Sequence, residues 1–453
     1  ILVFSLLLLI GATQAAEQKN VDLNHWGYGY YYFGQIMEGA YRNPNGDSKT
    51  VSHVWDQETA LGYGVTAVVN ERNIVTLASE IKLLHSFPQR KIDNFNANDH
   101  SFNVIIYHAE GVRSFGDPEN PYLELGVGYW PYKYNKDVRN LGEYLFRSEI
   151  YAPTLINYFD FPRVHVLGFR ASGHFWNNRI NTDVLLTSEV QTFPEKDLTL
   201  SWLGSVDVTN YLQFGAGISF SRLISMDENR QDSIPFNAPE NEYNRYITGQ
   251  DTAYVPFSGT KLMARAALDI RKLLGSPDIL GENDLKVYTE LAVLGTKNYP
   301  DFVIPLPFRS FSPTDSIKPY TKLSERIPIM VGINLPAFRI LDVLSFEFEY
   351  FKFNEYYSNS LMYRNTETYP LPIPDTEYQQ SKLDTASNYP VDLSPYKWSL
   401  YGKKTVSDCF DLIGMVGRDH VFTRSKQIST SSPQDMILGA GHWRWMFKVM
   451  FRI

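Results

Sequence analysis

The sequence predicts an all-β fold, an antiparallel up-and-down barrel of about 16 strands, and three observations carry that expectation. First, the last twelve residues, HWRWMFKVMFRI, alternate with period two. Trp443, Trp445, Phe447, Val449, Phe451 and Ile453 share one face, while His442, Arg444, Met446, Lys448, Met450 and Arg452 take the other. Against an apolar background of 43%, six apolar residues on one chosen face arise by chance about 0.6% of the time. Second, aromatic residues make up 15% of the chain and charged residues only 20%, a balance that favours ordered β structure over disorder. Third, short and long connections alternate between the segments that read as strands.

The chain opens ILVFSLLLLI, then GATQAA, then the polar EQKN, which reads as the apolar core and cleavage site of a secretory signal occupying residues 1–16. The absence of an initiator Met and a basic leader implies truncation at the start. Residues 17–453 are expected to form a single barrel domain, with no internal repeat or low-complexity linker to divide them. Strands are expected near 26–37, 59–69, 73–84, 101–108, 121–130, 163–176, 179–191 and 197–206. Eight more follow near 211–224, 260–272, 285–297, 325–334, 338–351, 396–404, 409–424 and 440–453. The odd-numbered connections, 38–58, 131–162, 225–259, 298–324 and 352–395, are long, and the one at 192–196 is short. The even-numbered ones, such as 70–72, 177–178, 207–210 and 335–337, are tight, with 109–120 and 273–284 longer.

Period-two alternation also suits a soluble sandwich, which hides its apolar face, whereas a membrane barrel turns that face to lipid. The alternation of connections favours the second: a transmembrane barrel with short periplasmic turns and long extracellular loops. A net charge of -8, from 42 Lys and Arg against 50 Asp and Glu, argues against nucleic acid as a partner. The lone Cys409 excludes an internal disulfide.

Glycine pairs such as Gly27/Gly29, Gly62/Gly64 and Gly215/Gly217 never continue as a nucleotide-binding loop, and read as small residues on one strand face that allow curvature or make room for an inward loop. No HExxH occurs, the single Cys has no partner at ligand spacing, and Asp227, Glu228 and Asp232 depart from a calcium loop, so no metal or cofactor is expected. Glu347 and Glu349, in LSFEFEYF, suit either a general acid/base pair or the wet inner face of a strand whose Phe346, Phe348 and Tyr350 face lipid. The second reading is preferred, and with no GxSxG elbow present the chain is read as having no catalytic residue and as not being an enzyme.

Inward positions on the other strands carry both signs. Glu80, Lys82, Arg170, Asp183, Glu189, Arg265, Asp269, Arg271, Glu290, Glu347, Glu349, Arg444 and Lys448 are the candidate pore-lining residues. The connection 131–162 mixes Lys133, Lys136, Asp137, Arg139, Glu143, Arg147 and Glu149 with many aromatic side chains, more than a free surface loop would hold. It is therefore expected to fold into the lumen as a constriction, burying Tyr132, Tyr134, Tyr144, Leu145 and Phe146 against the wall.

Signal, alternating turns and loops, an inward third loop and an aromatic final strand together resemble the Gram-negative outer-membrane porins. The family's last strand normally ends in Phe, where this one ends Phe451-Arg452-Ile453. The segments KYNKDVRNLGEYLFRS and LPAFRILDVLSFEFEYF also resemble uncharacterised outer-membrane proteins of Fibrobacter-type bacteria. The porin resemblance implies the outer membrane of a Gram-negative bacterium, passive diffusion of small hydrophilic solutes, and no cofactor. It implies outer-membrane lipid, lipopolysaccharide and the barrel-assembly machinery as partners, and allows a homotrimer. Two alternatives stay open: a barrel that binds or adheres to polysaccharide through the tyrosine-rich 352–395 loop, and a secreted carbohydrate-active enzyme.

Overall fold

Backbone N–H and C=O groups at a sheet edge need partners, and a sheet that closes on itself is one way to supply all of them. The computed structural model describes residues 21–42, 48–87, 100–147, 164–188, 197–224, 245–248, 251–254, 259–296, 304–305, 316–317, 323–351, 395–418, 422–427, 434–440 and 443–453. The signal expected over residues 1–16 lies outside them. In chain order the wall strands are β1 Val21–Arg42, β2 Ser48–Val69, β3 Asn73–Phe87, β4 His100–Asp117, β5 Asn120–Tyr132, β6 Val164–Phe175, β7 Ile180–Ser188 and β8 Leu198–Asp207. They continue as β9 Leu212–Ile224, β10 Gly259–Asp269, β11 Lys286–Leu294, β12 Ile329–Asn334, β13 Val343–Tyr350, β14 Tyr396–Ser407, β15 Phe410–Arg418 and β16 Arg444–Arg452. Each pairs antiparallel with the next, as at Val69↔Asn73 and Val343↔Lys403. β16 pairs back onto β1 from Tyr28↔Arg452 to Ile36↔Arg444, so the barrel is closed.

The faces are inverted relative to a soluble protein. On β13 Phe346, Phe348 and Tyr350 are exposed, and between them Ser345, Glu347 and Glu349 are buried. On β16 Phe447 and Phe451 are exposed while Arg444, Met446, Lys448 and Met450 are buried. Leu61, Val75, Leu125, Val127, Phe169 and Trp202 likewise stand on the outside, and Glu58, Glu80, Glu110, Lys261 and Lys397 on the inside. Among the described residues no helix is long and apolar enough to cross a membrane.

Five segments differ from the sequence expectation, one of them the strand expected from 338, which starts at Val343 and lengthens the turn expected at 335–337 to 335–342. The loop expected at 38–58 is mostly strand, since β1 and β2 stay in register as far as Arg42↔Ser48; residues 43–47 lie outside the described ones. The turn expected at 109–120 shrinks to 118–119: β4 runs on to Asp117, with a register shift at Phe115/Gly116 and Gly116 at φ +102°. The strand expected to reach 272 stops at Asp269, whose carboxylate accepts the Lys272 N–H at 3.0 Å and caps a helical turn, Ile270–Leu273. The strand expected to reach 424 stops at Arg418, and a separate hairpin, Phe422–Gln427 with Gln434–Ala440, pairs onto β1 from Gly39 to Arg42. The connections of four residues or fewer, 70–72, 118–119, 176–179, 208–211 and 408–409, all lie at one end, and two of them use left-handed Asn70 (φ 52°) and Asn177 (φ 55°), which that side chain tolerates.

Candidate functional site: the inward loop and its seat

Past Tyr132 the chain does not pass over the barrel mouth. It turns inward, and α1 (Tyr144–Arg147) comes to rest against β9, β10 and β11. Val138, Leu141, Leu145 and Phe146 are buried there, in one cluster with Trp130, Val166, Leu185, Met263 and Tyr288. Burying such side chains stabilises docking by roughly 1.5–3 kcal/mol each. That term holds the loop inside, but it has no direction. Direction comes from three wall carboxylates.

Glu347 of β13 accepts three consecutive backbone N–H groups, Arg139 at 2.5 Å, Asn140 at 2.8 Å and Leu141 at 2.8 Å. Its Oε1 also takes the Tyr288 hydroxyl at 2.9 Å. Glu290 of β11 accepts the Tyr134 hydroxyl at 2.6 Å, Asn135 Nδ2 at 2.7 Å and the Tyr144 N–H at 2.9 Å. Glu349 accepts the Tyr144 hydroxyl at 2.6 Å. A buried loop carries backbone donors that cost about 1–3 kcal/mol each if left unmatched, and ionised acceptors are the strongest match available. The carboxylates therefore fix where the loop sits, while apolar burial supplies most of the attraction.

Strand register explains the reach of these groups. Arg265, Glu290, Met330, Glu349 and Lys397 form one row across β10 to β14. The next row runs Tyr288, Gly332, Glu347 and Ser399. A Cβ on Gly332 would stand 2.2 Å from Tyr288 Cε2, so the missing side chain is what lets the Tyr288 ring lie across β12 to Glu347. Gly142, at φ +89°, brings the loop onto Met330, where a Cβ would meet Met330 Cε at 2.8 Å.

The same device recurs across β1, β2 and β3. Tyr28, Gly62 and Glu80 stand in one row, a Cβ on Gly62 would lie 2.3 Å from Tyr28 Cζ, and the Tyr28 hydroxyl donates to Glu80 at 2.6 Å. Lys82 bridges Glu80 at 3.3 Å and Glu58 at 3.4 Å. Lys448 stands over the Tyr30 ring at 4.2 Å, and Arg444 is buried on the same strand face.

The other candidate residues are spread around the wall. Arg170 pairs with Glu110 at 2.8 Å, Asp183 accepts the Tyr132 hydroxyl at 2.7 Å, and Arg265 donates to Gln213 at 2.8 Å. Asp269 and Arg271 belong to the helical turn at the tight end, away from the loop. Within the loop, Lys133 donates to the Val138 carbonyl at 2.8 Å, Asp137 pairs with Lys286, and Glu143 accepts the Asn135 N–H at 3.4 Å. The Arg139 guanidinium stands 6.0 Å from the Tyr401 ring centre. Lys136 is exposed. Burial, the charges of Glu290 and Glu143 and the hydrogen bond to Glu290 push the Tyr134 hydroxyl well above the ordinary tyrosine pKa.

Glu149, Glu189, the calcium candidates Asp227, Glu228 and Asp232, the loop 352–394 and the Arg147 side chain lie outside the described residues. Among the described residues no group of three or more His, Cys, Asp or Glu could hold a metal ion. Tyr288, Asn135, Lys261 and Lys286 were not picked out by pattern. Only the register, which places Tyr288 beside a glycine and a glutamate, singles the first of them out.

Below the loop, on the tight-turn side, lies a cavity of about 340 Å³ between Lys133–Asp137 and the wall residues His174, Asn181, Asp183, Ser205, Gln213, Arg265 and Lys286.

Fold and site together define a class: a closed sixteen-stranded antiparallel barrel, apolar outside and polar inside, with the connection after β5 folded into its interior. No known protein family and no curated protein matches the chain. Among solved structures it is similar to OprB of Pseudomonas putida, with a TM-score of 0.48 and 9% identity over 97% of this chain and 96% of that one. A variant of the porin of Rh. blastica gives a TM-score of 0.41 and 8% identity over 95% and 100%. At these identities no residue role is carried over from either.

Proposed function

We propose that the protein is an outer-membrane channel of a Gram-negative bacterium for the passive diffusion of small hydrophilic solutes, with the 131–162 loop as its constriction. The observation that carries this reading is the inverted barrel: large apolar side chains outside, as at Phe346 and Phe348, alternate with buried carboxylates inside, as at Glu347 and Glu349. A closed barrel leaves no backbone group unpaired in lipid, and irregular chain at membrane depth is tolerated where it lines a cavity. The charged inner strand positions Glu80, Lys82, Arg170, Asp183, Arg265, Glu290, Glu347, Glu349, Arg444 and Lys448 then form the channel wall, while Asp269 and Arg271 drop out of it with the helical turn they belong to, and residues 1–16 form the export signal. Outer-membrane lipid, lipopolysaccharide and the barrel-assembly machinery are its partners, and a homotrimer suits the same reading.

A kinship with Fibrobacter-type outer-membrane proteins is proposed on the sequence of the segments 133–148 and 335–351 alone. Enzymatic chemistry forms no part of the reading, because the Glu347 oxygens are engaged by loop N–H groups and Tyr288.

Liposome swelling with a graded series of polar solutes tests the constriction. Trimming Tyr134 through Phe146 is expected to raise the size of the largest solute admitted. An unchanged limit in a folded, trimmed barrel overturns the constriction.

A further inference from the structure

We propose that the cavity beneath the inward loop is a binding site for small anions of about monosaccharide size that carry a phosphate or carboxylate. The proposal rests on the channel reading and deepens it by naming the class of solute.

Charge is the first argument. The lining includes four cations, Lys133, Lys136, Arg265 and Lys286, against two anions, Asp137 and Asp183, a surplus of two positive charges in a chain whose net charge is -8. Both carboxylates are already matched by protein donors: Asp137 is held by Lys286, and Asp183 by the Tyr132 hydroxyl at 2.7 Å. The Arg265 guanidinium meets a neutral partner, Gln213 Oε1, at 2.8 Å. Its Nε lies where a Cβ on Gly215 would stand only 2.6 Å away, so Gly215 makes the room in which that guanidinium lies. Asp207, behind Gln213, is occupied by Gln213 Nε2 at 2.6 Å. His174 also faces in; it contacts Asn181 at 2.8 Å and stands 4.0 Å from the Glu124 carboxylate, so it is not counted in the surplus.

Shape and position are the second argument. The volume of about 340 Å³ is limited, and Tyr132, Leu203 and Met263 offer a ring an apolar surface beside the Ser205 hydroxyl. A cationic, partly apolar recess of this kind matches a sugar bearing one anionic group better than it matches a bare salt ion. Lys136 is exposed and lines the cavity, so its charge is open to an incoming solute. The lining comes from the tight-turn ends of β6 to β11, which puts the site past the loop rather than ahead of it.

Titration calorimetry on the full chain in detergent, with glucose 6-phosphate and glucose as probes, tests the proposal. Glucose 6-phosphate is expected to bind with salt-dependent affinity, and glucose much more weakly. Arg265→Gln is expected to weaken glucose 6-phosphate by about tenfold, the equivalent of one charge-assisted hydrogen bond, while Asp183→Asn tightens it. Should Arg265→Gln fail to fold, Lys136→Gln replaces it, since that side chain is exposed and little packing depends on it. Equal affinity for the two probes, or affinity unmoved by these charge changes in folded variants, overturns the site. Ion conduction without such binding overturns this proposal and leaves the channel standing. Binding by a barrel that conducts no ions supports the site and overturns the channel.

Discussion

Gly332 shows how much of this barrel depends on what is missing from a side chain. Tyr288 crosses β12 only because the position beneath its ring has no Cβ, and its hydroxyl then reaches both Ser345 at 2.6 Å and Glu347 at 2.9 Å. Gly332→Leu is expected to destabilise the barrel by about 1–3 kcal/mol through overpacking, read as a lower urea midpoint. Adding Tyr288→Ala should recover part of that loss, because it removes the ring that clashes. A Gly332→Leu barrel as stable as the parent would show that the ring does not need this seat. Glycines such as Gly62 and Gly215 were legible in the sequence as small residues on one face. The reason for their size was not, because it depends on which tyrosine or arginine stands opposite, and register is a long-range property.

The inward loop was legible as an element for a different reason. Its aromatic and aliphatic load between Tyr132 and Phe146 has no stable place in water, and the interior of the barrel is where the structure puts it. Its anchors were not legible. Glu347 lies 206 residues from Leu141 in the chain, and the pattern that marked Glu347 and Glu349 as a pair gave no sign that one would hold backbone N–H groups and the other a tyrosine hydroxyl. Glu347→Gln keeps the size of the anchor and removes its charge, so the loss is expected to be about 1.5–3 kcal/mol of docking. Apolar burial keeps the loop inside most of the time, so the expected result is faster proteolytic cleavage within 133–147 with a nearly unchanged unfolding midpoint of the barrel. A cleavage rate equal to that of the parent would remove Glu347 from its anchoring role.

At the scale of the whole molecule, sixteen strands and their order followed from period-two alternation, which reports which face meets apolar surroundings, and from the connections, which report where one strand ends and the next begins. Strand ends followed less well. At 38–58 and 109–120 the strands run on where their faces lose the alternation, since backbone pairing rather than side-chain pattern sustains them there. At Asp269 the reverse happens, and a capping carboxylate ends a strand that composition alone would continue. On the channel reading proposed above, a polar path runs from one rim to the other and is narrowed by the loop held on Glu290 and Glu347. Single-channel recording of the full chain in a planar bilayer tests that claim most directly. The account predicts discrete conductance steps that grow when residues 134–146 are trimmed; a barrel that inserts and conducts nothing, with or without the loop, would contradict it.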